Sequence, residues 1–123
     1  MKIYKKLIVG IFLLLPMVIM AQNSRFMNST PEERAQAHTE WMQKNLNLSN
    51  SQLDKIKPIN IKYAHEMEKI KNSDMSNMEK IKVVKEVDKK RIAEFKTVLS
   101  SEQLKIYNDK KKELFQMIRK LRS

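Results

Sequence analysis

The chain has 123 residues, with 25 Lys+Arg against 14 Asp+Glu, no cysteine and a single glycine, Gly10. Without cysteine there are no disulfides, no thiolate metal ligands and no lipid-modified cysteine. Without glycine after Gly10 there is no Gly-rich phosphate loop, no G-x-G-x-x-G fingerprint and no G-x-S-x-G nucleophile elbow.

The first segment reads as an address. Lys2, Lys5 and Lys6 precede an uncharged apolar run from Leu7 to Met20, and Ala21 is a small residue before Gln22. This pattern predicts a cleavable secretory signal over residues 1–21, too short for a membrane span of ~20 apolar residues; the competing reading is an uncleaved anchor. Its removal takes away three of the 25 Lys+Arg and none of the 14 Asp+Glu, leaving 102 residues with a charge of +8. For an exported protein such a charge suits acidic protein surfaces, anionic headgroups or acidic glycans rather than nucleic acid. Residues 22–29 read as a polar, mobile tail, and 30–123 as one domain rich in helix-forming Lys, Glu, Leu, Ile, Met and Gln.

Four helices are expected in that domain. Thr30-Pro31-Glu32-Glu33 starts the first, with Thr30 as N-cap, Pro31 at N1 and Glu33 at N3. Its apolar side carries Ala37, Trp41 and Leu46 or Leu48, and it ends near Asn45 to Asn47, where Asn can take the left-handed cap. The second starts at Ser49 and repeats Leu53, Ile56, Asn60, Tyr63, Met67 and Ile70 at three and four, bending at Pro58 while the stripe stays in phase. Asn72-Ser73-Asp74 is a turn. The third, expected to be the longest, runs from about Met75 to Val98 with Met78, Ile81, Val84, Val87 or Asp88, Ile92 and Phe95 as its stripe. Ser100 caps the fourth, which carries Leu104, Tyr107, Leu114, Ile118 and Leu121.

One phrase occurs twice. Leu48-Ser49-Asn50-Ser51-Gln52-Leu53 returns as Leu99-Ser100-Ser101-Glu102-Gln103-Leu104, 51 residues later. Each copy fits a capping box: the Ser hydroxyl accepts the N3 backbone N–H, and the N3 Gln reaches back to the Ser N–H. On that chemistry Leu48, Ser49, Gln52, Leu99, Ser100 and Gln103 are structural.

The doubled phrase also resembles the Leu-Thr-x-x-Gln motif of the Spy/CpxP family of small exported bacterial proteins. Ser stands for Thr at Ser49 and Ser100, which keeps the capping chemistry, and the chain is short for that family. The signal, the helical pattern, the basic charge and the spacing of the copies agree with the likeness over roughly Thr30 to Leu121. The resemblance implies an all-α, thin, curved, cradle-like dimer in the periplasm. It also implies one of three roles: an ATP-independent chaperone for unfolded or partly folded envelope proteins, an accessory inhibitor of an envelope-stress sensor kinase, or a metal-responsive sensor. The narrow stripes independently suggest a homodimer that covers Ile81, Val84, Ile92 or Phe95.

No enzyme chemistry is visible. His38 and His65 are the only histidines, short of the three or four ligands of a zinc site, and no Ser–His–Asp set or activated nucleophile stands out. Catalytic, cofactor and metal residues are therefore expected to be absent. The residues expected to touch a client are Met75 and Met78, adaptable side chains beside a turn, with the basic clusters Lys89, Lys90, Arg91 and Lys110, Lys111, Lys112. Basic residues would speed encounter with acidic clients, and apolar ones would hold them.

Overall fold

The computed structural model describes residues 29–122, which form four helices: α1 (Pro31–Leu46), α2 (Asn50–Lys71), α3 (Asn77–Phe95) and α4 (Ser101–Arg122). The expected signal peptide and almost all of the expected tail lie outside these residues. The described chain is all-helical, and none of its helices is long and apolar enough to cross a membrane.

The helix starts follow from local chemistry. Thr30 Oγ1 accepts the Glu33 N–H at 3.2 Å, with Pro31 as the first helical residue. At the other end of α1, Asn47 adopts φ 51° and ψ 57° and its N–H closes onto Gln43 O, so Asn supplies the left-handed cap. Helix α2 runs unbroken through Pro58. Helix α3 departs from expectation at both ends. It begins at Asn77 because Ser76 and Glu79 form a third capping box, and it stops at Phe95, after which residues 96–98 turn. It is therefore shorter than α2 and α4, which have 22 residues each against its 19.

Helix α1 packs against α2 on one side and α4 on the other, and α2 packs against α3, in the spatial order α4–α1–α2–α3. Helices α3 and α4 meet through side chains, Phe95 with Tyr107 and Arg91 with Phe115. The α1–α2 and α3–α4 connections lie together at one end, here called the closed end. There Met42, Leu46, Leu48, Ile56, Phe95, Leu99, Tyr107 and Leu114 form one buried cluster. A full cavity would open if any of the large ones were truncated, since Tyr107, Phe95, Met42, Ile56 and Leu114 are entirely enclosed. The expected wetness of Phe95 is thus corrected: Tyr107, with ring centroids 5.1 Å apart, covers it within the same chain.

The opposite, open end has a smaller cluster of Tyr63, Ile70 and Val87. It holds α1 to α2 through Arg34–Glu68 and through His65–Glu32 at 2.7 Å. The inward face of α1 is Arg34, Ala35, His38, Thr39, Met42 and Leu46, rotated from the expected Ala37–Trp41 edge, which is only half-buried. The rotation places polar residues inside because α4 covers α1 there and supplies Tyr107 to His38.

Candidate functional site

The two copies of the repeated phrase face each other. Within each copy the capping box is complete: Ser49 N–H donates to Gln52 Oε1 at 3.0 Å and Gln52 N–H to Ser49 Oγ at 3.1 Å, with the same distances for Ser100 and Gln103. Each glutamine then reaches across. Gln52 Nε2 donates to Gln103 Oε1 at 2.7 Å, and Gln103 Nε2 donates to Gln52 Oε1 at 3.1 Å. The remaining N–H bonds go to backbone carbonyls, Gln52 to Val98 O in the α3–α4 turn and Gln103 to Leu46 O at the end of α1, both at 3.1 Å.

A glutamine side chain has two donors and two acceptor lone pairs, and both side chains use all four. The phrase is therefore a cap and a clasp at once: it starts α2 and α4 and ties the α1–α2 hairpin to the α3–α4 hairpin. Leu48 and Leu99, one before each Ser, are buried beneath the clasp. The capping role was readable from the sequence. The cross-bond was not, because it depends on which hairpins meet.

Above the clasp lies a layer of buried polar groups. His38 Nε2 and Tyr107 Oη share a hydrogen bond of 3.1 Å, and the two rings stack at 5.9 Å. Burial, then the charge of Arg91, holds His38 well below its ordinary pKa of 6.5, so it stays neutral. Burial likewise pushes Tyr107 up to about 12. Asn60 Nδ2 donates to Thr39 Oγ1 at 2.9 Å. Neutral, stacked and hydrogen-bonded, His38 is a structural histidine of the core. Among the described residues no three His, Asp or Glu side chains gather in a way that could hold a metal ion.

The expected client-binding residues separate into two groups. Arg91 is corrected: it is 5% exposed, pairs with Asp88 and lies over the Phe115 ring at 5.2 Å, so it belongs to the interior and not to a basic face. Lys111 is half-buried and turns toward the same Asp88 at 3.8 Å. Lys89, Lys90, Lys110 and Lys112 are exposed, and Met75 is half-buried against the small cluster.

Met78 is 82% exposed, and with Ile81 at 57% and Val84 at 37% it makes an apolar stripe along the first half of α3. Lys82, Lys85 and Lys89, also exposed, run along one edge of that stripe at helical spacing. The missed signal for Arg91 is its register. Val87, Arg91 and Phe95 are four apart and share the buried face of α3, whereas the sequence pattern left Val87 or Asp88 open beside Ile92 and Phe95.

A family model described as Domain of unknown function (DUF4890) matches residues 21–107. The chain belongs to the DUF4890 family. The match spans α1, α2, α3 and the start of α4, and so takes in both copies of the phrase and the clasp between them. No curated protein and no solved structure matches the chain.

Proposed function

We propose that the protein is an exported binding module that holds unfolded or partly folded envelope polypeptides without ATP, using the first half of α3. The observation that carries this reading is the uncovered stripe of Met78, Ile81 and Val84 beside Lys82, Lys85 and Lys89. Singly exposed apolar residues are common, but three in register along one helix form a contact surface. Methionine at its tip adapts to varied partners, and lysines at its edge attract acidic chains at long range. Two further facts support the reading. The family match begins at residue 21, at the junction where the sequence predicts signal cleavage, and the doubled phrase resembles that of the Spy/CpxP proteins. Periplasmic location and a chaperone-like role are part of the proposal.

The test is suppression of aggregation of several unrelated unfolded proteins by the purified protein at near-stoichiometric ratio. The proposal expects general suppression, reduced by Met78→Ser with Ile81→Ser. Binding to a single saturable partner, with no general suppression, would instead support the accessory regulator of a sensor kinase. The stripe is also the surface on which the sequence places a homodimer. Sedimentation equilibrium of wild type and of the same double variant separates the two uses: a dimer lost in the variant assigns the stripe to a second copy, and a monomer in both leaves it to clients.

A further inference from the structure

A cavity of about 320 Å³ is lined by residues of all four helices toward the open end. Its buried arginines are engaged within the fold. Arg34 donates through one terminal nitrogen to Glu68 and through the other to Ser29 O at 2.7 Å, and Arg91 donates to Asp88. The larger part of the wall is apolar: Ala35, Ala64, Met67, Val84, Phe115 and Ile118. An apolar wall left against water favours an apolar cover. The described chain begins beside this wall. Ser29 is held there by two bonds: its carbonyl accepts from the wall residue Arg34, and its Oγ donates at 2.9 Å to Leu121 O, one turn beyond the wall residue Ile118. The segment that leads into Ser29, residues 22–28, is polar except for Phe26 and Met27. Three residues of extended chain span ~10 Å and two span ~7 Å, so both side chains are within reach of the cavity from Ser29. A cavity of ~150 Å³ accepts a benzene ring, which leaves room here for the Phe26 ring with the adaptable Met27 side chain beside it.

We infer that this cavity is the seat of the chain's own N-terminal segment, with Phe26 and Met27 packed on its apolar wall. The short tether to Ser29 makes the docking intramolecular, at an effective concentration on the order of millimolar. A client or a second copy would have to displace it. The docking itself does not depend on the client-binding proposal. The cavity shares only Val84 with the α3 stripe, so the seated segment covers Val84 and leaves Met78 and Ile81 to clients; that division of α3 alone rests on the client-binding reading.

Nuclear Overhauser spectroscopy of the purified protein, with Met and Ile methyls labelled, tests the assignment. Contacts from the Phe26 ring to the Met67 and Ile118 methyls are expected, within one chain. Binding of N-phenylnaphthylamine, a neutral apolar fluorophore, gives the second readout. It should bind at least tenfold more tightly to Phe26→Ser with Met27→Ser than to wild type, because those substitutions empty the cavity and lie outside the helices. Ala64 is a half-buried wall residue, so Ala64→Phe added to that variant should fill the cavity and remove the gain while helical circular dichroism is kept. If the filled variant does not fold, Ile118→Trp serves as the second block. Absent ring contacts, ring contacts found only between differently labelled chains, or equal fluorophore binding by wild type and the double variant would each overturn the assignment. Ring contacts that persist in Met78→Ser with Ile81→Ser support it whatever becomes of aggregation suppression, so its failure and that of the client-binding reading are told apart.

Discussion

The two ends of the molecule start their helices differently. At the closed end both N3 residues are glutamine, Gln52 and Gln103, and at the open end both are glutamate, Glu33 and Glu79. For capping and for the helix dipole a carboxylate serves at least as well as an amide. Glutamine is needed only where N3 must also donate, and at the closed end it donates to the other glutamine and to a backbone carbonyl of the facing hairpin. The closed end is thereby clasped over an aromatic core. The open end carries salt bridges, a cavity and the exposed half of α3. Rigidity and accessible surface are segregated along one helical domain.

The largest way to break this contrast is truncation. Phe95→Ala removes a fully enclosed ring from the closed end and should cost about 3–5 kcal/mol, read by urea unfolding. A loss under about 1 kcal/mol would mean that the closed end is not the tightly packed one.

Acid comes next. The folded state keeps His38 neutral, whereas the unfolded chain binds its proton below the ordinary pKa of 6.5. Stability should therefore fall as pH drops through that value, by up to ~1.4 kcal/mol per pH unit, and be unaffected by His38 above it. Glu32 and Glu94 have folded pKa values lowered from 4.5, so they add their own loss only at lower pH. Urea unfolding between about pH 7 and pH 5 should show the slope in wild type and lose most of it in His38→Phe. The smallest effect belongs to the open end: Met78→Ser with Ile81→Ser should change stability by no more than ~0.5 kcal/mol, because neither side chain is covered.

How legible this architecture was in the sequence depended on the range of the physics involved. Caps act within three residues, so the starts at Thr30, Ser49 and Ser100 and the Asn47 stop could be read directly. Ser76-x-x-Glu79 carries the same signature, and it sets the start of α3 two residues past the expected Met75. The stripe of α2 was readable because its period survives Pro58. Arg34 and Arg91 were hidden because charge was taken as a sign of exposure. Both sit four residues from buried neighbours, Arg34 from His38 and Arg91 from Val87 and Phe95; Arg34 meets Glu68 of α2, and Arg91 pairs with Asp88 one turn back on its own helix and lies over Phe115 of α4. The clasp and the cavity depend on contacts between residues far apart in the chain, and no local rule reports them.

The central claim is that the repeated glutamines clasp two hairpins and do not merely cap two helices. Gln52→Glu tests it most directly, since glutamate keeps the capping box but has no N–H to give to Gln103 or Val98. Equilibrium urea unfolding of Gln52→Glu beside Glu79→Gln is the measurement. A clasp predicts a loss of about 2–3 kcal/mol for the first and a change within ~0.5 kcal/mol for the second. Equal, near-neutral changes in both would show that the phrase is only a pair of caps.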